Sequence, residues 1–249
     1  MWPFSREMTA EELKKRTAED FQNGTLLLAD KPLGWTSFDV VKKVRYLIRK
    51  KFGLKKIKVG HAGTLDPLAT GLLVLCTGRY TKKITELTLD RKTYTGSFRL
   101  GETTPSFDLE TEVDRSTSVE GITAEDVRAA AEKLSGVSMQ MPPQFSAKLV
   151  DGKRAYLSAR AGKTVELKAR EVEISDFQTD AARFPEVDFS VTCTSGTYIR
   201  ALARDLGEIL GCGAHLIALR RTASGAYRSE DALTVPEIED VLTAGASDV

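Results

Sequence analysis

Cysteine is scarce in this 249-residue chain: Cys76, Cys193 and Cys212 are odd in number and far apart. That excludes a disulfide framework and points to a reducing compartment, so the protein is expected in the cytoplasm. Histidine is scarcer still, with only His61 and His215, and no metal-ligand spacing can be built from them. Long apolar runs are missing too. The longest, such as Leu72 to Cys76, fall far short of the ~20 residues a membrane-spanning helix needs. The N-terminal MWPFSREMTAEELKK has no basic start followed by an apolar stretch and a small-residue cleavage site, so no secretory signal is readable. A net charge of +1, from 36 basic and 35 acidic residues, says nothing by itself about a polyanionic partner.

The distribution of that charge says more. Lys42 to Lys58 holds nine basic residues and no acid, whereas six acids and no base follow Arg228. Such a block is either a solvated helix face or the footprint of a protein that grips a polyanion through one side. Apolar residues make up 41% of the chain, enough for one large domain or one domain with an appendage.

Thr9 with Glu12 three residues later reads as a capping box opening a polar leader helix toward Asn23-Gly24. TLLLAD (25–30) reads as a buried strand. Ser37 can cap a helix whose apolar stripe is Val40, Val41, Val44, Leu47 and Ile48, ended by Gly53. LLVLCTG and KTYTGSFRLG (92–101) read as two further strands, and Thr123 opens an Ala-rich helix that stops at Gly136. Asp151-Gly152 between extended arms signals a hairpin bearing Lys148, Lys153 and Arg154. Val187, Phe189, Val191 and Cys193 alternate as in a half-buried strand, followed by the helix YIRALARDLGEIL, which Gly211 ends. Helices and strands intermix without a regular βαβ repeat, which favours an α+β fold with a mixed sheet.

One stretch, GHAGTLDPLATGLL (60–73), raises a chemical question. Asp66 before Pro67 is what the N-cap of a short helical turn requires. Its small neighbours Gly60, Ala62, Gly63 and Thr64, with His61, also let a bulky substrate approach the backbone, which is how a carboxylate nucleophile is presented. Arg200 and Arg204, at i and i+4, are either solvated or paired with a carboxylate or phosphate. Tyr94 packs across strands or stacks on a base.

KPLGWTSFDVV (31–41), GHAGTLDPLATGLL (60–73), KTY (92–94), MPPQFSAKLVDGKRAY (141–156), CTSGTYIRALARDLG (193–207) and GAHLIALRRTASG (213–225) together resemble the bacterial TruB-type tRNA pseudouridine-55 synthases. The match runs in order from Leu26 to Gly225. It implies the pseudouridine-synthase fold, a mixed, mostly antiparallel sheet flanked by helices and loops around a catalytic cleft. The implied reaction is isomerisation of uridine 55 in the tRNA T-loop, with base flipping and no cofactor or metal. The implied partner is the T-arm of tRNA, for a monomer with no membrane and no obligate protein partner.

By the resemblance, Asp66 is the nucleophile, Tyr94 stacks on the target base and serves proton transfer, and Arg200 pairs with Asp66. His61 takes the place of the flipped base and Leu219 lines the pocket. Lys31, Gly63, Thr64, Leu65 and Tyr198 are expected to contact substrate, and Lys42, Lys43, Lys148, Lys153 and Arg154 the RNA backbone. The expected layout is a leader helix over 1–24, a catalytic domain over 25–228 with a basic hairpin insertion near 141–170, and an acidic tail over 229–249 without the RNA-binding PUA domain many relatives append.

The chemistry suits these assignments. Substrate and product contain the same atoms, so one ionised carboxylate suffices, by attack on the sugar's anomeric carbon, addition to the pyrimidine ring, or proton abstraction giving a glycal. An adjacent arginine keeps that carboxylate charged against desolvation. The sequence departs from the family's T-x-T-x-D-x-x-G series at Ser106 and Thr111 while keeping Asp108, and has Phe145 where a Tyr is usual. A non-catalytic RNA-binding or tRNA-chaperone protein on the same fold is the alternative. A phosphoryl-transfer enzyme is a third reading, but no second catalytic Asp or metal-binding carboxylate cluster accompanies Asp66.

Overall fold

The computed structural model describes residues 9–146, 149–150 and 153–244. The chain begins with helices α1 (Ala10–Lys14) and α2 (Ala18–Asn23), strand β1 (Leu26–Lys31) and helix α3 (Ser37–Phe52). Strands β2 (Val59–Ala62) and β3 (Ala69–Thr77), helix α4 (Ile84–Thr88) and strands β4 (Lys92–Leu100), β5 (Glu102–Thr103) and β6 (Arg115–Ser116) follow. Next come α5 (Ala124–Leu134), β7 (Gly136–Gln140), β8 (Leu149–Val150), β9 (Lys153–Arg154), α6 (Ala155–Arg160), β10 (Arg170–Arg183), β11 (Glu186–Cys193) and α7 (Ile199–Leu210). The last elements are β12 (Ala214–Ser224), β13 (Tyr227–Arg228), β14 (Leu233–Thr234) and α8 (Val235–Thr243). The chain divides into two compact units, one running up to Thr93 and resuming at Arg220, the other from Tyr94 to Leu219. Both β4 and β12 therefore contribute residues to each unit.

In the first unit the strand order is β14-β1-β3-β12, with β2 on β3 and β13 on β12. β1 and β3 pair antiparallel from Leu26 opposite Cys76 to Lys31 opposite Gly71, whereas β14 joins β1 in parallel, so the sheet is mixed. Helix α3 buries the expected stripe, Val40 to Ile48, and ends at Gly53 in the left-handed region. Its N-cap is Thr36, which forms a capping box with Asp39. The predicted cap, Ser37, is one residue inside the helix, buried and used elsewhere.

The predicted leader helix breaks in two because Thr17 opens a second capping box with Asp20. It is not a polar appendage, since Leu13 and Phe21 are fully buried in the same core as α3. The segment read as an acidic tail likewise forms β14 and α8, and Val235, Ile238 and Leu242 of α8 enter that core. Lys43 of α3 pairs with Glu239 at 2.5 Å, and the Lys51 ammonium donates to the Val241 carbonyl. The basic block and the acidic block thus meet within one unit. Each large aliphatic residue buried there contributes about 1.5–3 kcal/mol, which binds the two chain ends to the central strands.

In the second unit the order is β12-β4-β11-β10-β7. β10 pairs antiparallel with both β11 and β7. The alternating residues Val187, Phe189, Val191 and Cys193 are buried as predicted. Phe189 stacks on Phe98 at 4.1 Å between ring centres, with Phe177 edge-on to both. Helix α7 ends at Gly211 in the left-handed region. β8 and β9 pair across the predicted hairpin, but Lys148 and the Asp151-Gly152 turn lie outside the described residues. No helix among the described residues is long and apolar enough to cross a membrane.

Candidate active-site residues in the two units

In the first unit, Val59–Ala62 (VGHA) forms β2, with His61 opposite Leu75 of β3. The connection from β2 to β3 carries Asp66. No helix starts there. The Ala69 N–H donates to the Asp66 carbonyl at 3.0 Å, closing a single turn with Pro67 in its second position. Asp at the first and Pro at the second position suit a β-turn as well as a helix start, and β3 follows too soon for a helix. The cap expectation is therefore corrected to a turn.

That turn is held from both sides of Asp66. The Ser37 hydroxyl accepts from the Leu65 N–H at 2.8 Å and donates to the Leu65 carbonyl at 3.2 Å. The Pro67 carbonyl accepts from the Gly34 N–H at 2.9 Å and from the Lys31 ammonium at 3.4 Å. Lys31, predicted to touch substrate, is fully buried, and its ammonium also donates to the carbonyls of Pro32 and Trp35. Its place is underneath the loops rather than on an open surface. Burial lowers its pKa to about 8, with the Asp66 charge opposing and the Arg221 charge adding to the drop.

Arg221 is a residue the sequence reading missed. Only 1% exposed, it donates through Nε to the Leu72 carbonyl at 2.8 Å and through Nη2 to the Gly63 carbonyl at 3.1 Å. It thereby fixes the far end of the same loop. Gly63, at φ +93°, has room for no side chain without crowding the Arg221 head group. At Gly71, φ +100°, an added Cβ would overlap the backbone of Arg221 itself. Half-buried His61 has its pKa lowered by burial and then by the Arg221 charge, so its ring is neutral at pH 7. The Leu65 side chain is buried, Asp66 is half-buried and Thr64 is exposed. Lys92, of the KTY block, is buried and donates to the carbonyls of Thr88 and Asp90.

In the second unit, Arg200 lies in the first turn of α7 and is 4% exposed. Its Nη1 donates to the Ser106 carbonyl at 3.3 Å, and its Nε lies 3.5 Å from Oδ2 of buried Asp108. Tyr198, half-buried, precedes α7. The Gln140 side-chain amide brackets its backbone, accepting from the Tyr198 N–H at 2.8 Å and donating to its carbonyl at 3.2 Å. Arg204, one turn on, packs over the Phe107 ring at 5.2 Å and pairs with Asp205. Tyr94, 9% exposed, and half-buried Leu219 are the first and last residues of this unit, on β4 and β12.

The structure therefore gathers Lys31, His61, Gly63, Thr64, Leu65 and Asp66 in the first unit, and Tyr198 and Arg200 in the second. Ser37, Lys92, Arg221 and Asp108 join them unpredicted. Arg221 could have been found from ALRRTAS, where strand alternation turns it inward in step with Ala223. Of the predicted RNA-backbone residues, Lys42 is exposed, 4.8 Å above the Phe38 ring and near Asp39, while Lys43 is engaged by Glu239. Lys153 and Arg154 form β9.

The family model for the N-terminal domain of TruB family pseudouridylate synthases matches residues 49–199, and that for the tRNA pseudouridylate synthase B C-terminal domain matches residues 200–248. A tRNA pseudouridine synthase B from Phocaeicola vulgatus is 52% identical over 90% of this chain and 95% of its own length. Its counterpart from Flavobacterium johnsoniae is 48% identical over 91% of this chain and 99% of its own. Among solved structures, a chain of a Cbf5-Nop10-Gar1 complex superimposes with a TM-score of 0.69 at 26% identity, over 95% of this chain and 60% of that one. With more than half its residues matched and relatives about half identical along almost their whole length, the chain belongs to the TruB family of pseudouridylate synthases.

Proposed function

We propose that the protein isomerises uridine 55 in the T-loop of tRNA to pseudouridine, with Asp66 as the nucleophile. The observation that carries this reading is the near-complete match to tRNA pseudouridine synthase B at 52% identity, and the immobilised Asp66 turn supports it. In the reaction the bond from uracil N1 to the sugar's C1′ breaks, the base turns, and C1′ joins C5. A proton leaves C5 and N1 gains one. The atoms balance without an oxidant, a reductant or a second substrate.

Asp66 acts as a carboxylate. Because Ser37, Gly34 and Lys31 hold the residues on either side of it, it loses little freedom on meeting the sugar. Arg200, which the family resemblance assigns to the nucleophile, is the guanidinium proposed to favour its ionised form. Within the second unit, Asp108 and the Ser106 carbonyl hold that guanidinium. Tyr94 stacks on the extruded uracil, and the neutral His61 ring fills the vacated stack, offsetting an unstacking cost of a few kcal/mol. Leu219 borders the base. Lys31 and Arg221 are positioning residues. Lys42 and its exposed neighbours on α3 meet phosphates, whereas Lys43 must first leave Glu239. The protein works as a cytoplasmic monomer on the T-arm alone.

The test is to incubate the protein with a full tRNA transcript and map pseudouridine along it. Pseudouridine at position 55 alone supports the proposal. Stoichiometric binding with no conversion at any position would favour the non-catalytic reading.

A further inference from the structure

Two departures from the family's T-x-T-x-D-x-x-G series, Ser106 and Thr111, touch each other. Their hydroxyl oxygens are 2.9 Å apart, and the Ser106 N–H donates to the Thr111 hydroxyl at 3.1 Å. The direction of the bond follows from the next partner. The Ser106 hydroxyl is 3.2 Å from the Asp108 carbonyl, which can only accept. Ser106 therefore donates to Asp108, and its single proton being used, it accepts from Thr111. The chain runs from Thr111 to Ser106 to Asp108, with Thr104 donating to the same Asp108 carbonyl at 2.7 Å.

Two groups of the segment this chain fixes contact Arg200. The Asp108 carboxylate accepts from the Glu110 N–H at 2.9 Å and pairs with Arg200, and the carbonyl of Ser106 itself accepts from Arg200. Ser106 is fully buried, as are Thr104 and Asp108 within a few per cent. Between Ser106 and Asp108 the backbone of Phe107 is left-handed at φ +62°, a conformation unfavourable for a non-glycine residue that persists only where its surroundings over-determine it. The hydroxyl chain is one such constraint. A glycine at 111 would leave the Ser106 N–H without its acceptor.

We propose that Ser106 and Thr111 are a coupled pair of positioning residues: their hydroxyls lock the 104–111 loop so that Asp108 and the Ser106 carbonyl hold Arg200 for the isomerisation step. The inference rests on the function proposed above, so its test has one arm that needs activity and one that does not.

In the first arm, single-turnover isomerisation of T-arm RNA is measured. Thr111→Gly is expected to slow the step about tenfold while KM for RNA stays within about twofold. Thr111→Ser, which keeps the hydroxyl, runs at the wild-type rate. Ser106→Ala combined with Thr111→Gly is expected to be no more than about twofold slower than Thr111→Gly alone, because either change breaks the same hydroxyl chain. In the second arm, the Nε–H signal of Arg200, assigned by its loss in Arg200→Lys, is followed by NMR. Its exchange with water is expected to quicken at least tenfold in Thr111→Gly and little further in the double variant. Unchanged exchange in Thr111→Gly, losses that multiply in the double variant, or a loss confined to KM overturns the coupling. An inactive wild-type protein with the expected exchange pattern removes the proposed function and leaves the coupling standing.

Discussion

Replacing Ser37 by alanine isolates one contact beneath Asp66, the proposed nucleophile. Ser37 is 2% exposed and exchanges two hydrogen bonds with the backbone of Leu65, itself buried. Removing the hydroxyl strands a buried N–H and a buried carbonyl, each costing about 1–3 kcal/mol. The loop relaxes enough to bring the total toward about 2–4 kcal/mol, and the better helix propensity of alanine returns about 0.5 kcal/mol. Urea unfolding should therefore show a loss of about 1.5–3.5 kcal/mol with an unchanged m-value. At a temperature where the variant is fully folded, the single-turnover rate on T-arm RNA should fall tenfold to a hundredfold, since displacement of a reacting group by about 1 Å costs that much. Affinity for RNA should hold within about twofold, because so buried a side chain touches no RNA. A variant within about 0.5 kcal/mol of wild type that turns over at the wild-type rate would refute the claim that this contact positions Asp66.

Other consequences are as direct. Lys31 titrates near 8 in the folded protein against 10.5 in the unfolded chain; between those values the unfolded state holds the extra proton, so stability rises with pH by up to about 3 kcal/mol, fully gained above 10.5 and lost as pH falls through 8. Urea midpoints from pH 7.5 to 10.5 should show that rise for wild type relative to Lys31→Met. Gly71→Ala puts a Cβ into the Arg221 backbone at a positive φ and should cost at least about 2 kcal/mol by thermal or urea unfolding; a loss under about 0.5 kcal/mol would show that β3 and β12 can separate there freely.

What the sequence disclosed depended on whether local pattern and tertiary context agreed. The α3 stripe with Gly53, the alternation from Val187 to Cys193 and the α7 stop at Gly211 were legible because period and terminator coincide. Strand β10 was missed because Arg170 to Arg183 mixes charges with bulges near Ser175 and Asp180, which break the alternation. The acidic end looked like a tail, since its glutamates hide the spacing of Val235, Ile238 and Leu242. Asp66, Tyr94 and Arg200 became candidates through ordered motifs. Lys31, Arg221 and Asp108 are different: their roles lie in which carbonyl or guanidinium they reach, and such partners are distant in the chain. Ser37 was mistaken for a cap because Thr36, its neighbour, offers the same chemistry.

The isomerisation is proposed to run through the Asp66 carboxylate. Tritium release from T-arm RNA bearing 5-tritiated uridine, with wild type and Asp66→Ala run beside an RNA-binding measurement, tests it most directly. Stoichiometric release by wild type and none by the variant is expected, at RNA affinities within a few fold of each other. Release by Asp66→Ala at a rate near that of wild type would contradict it.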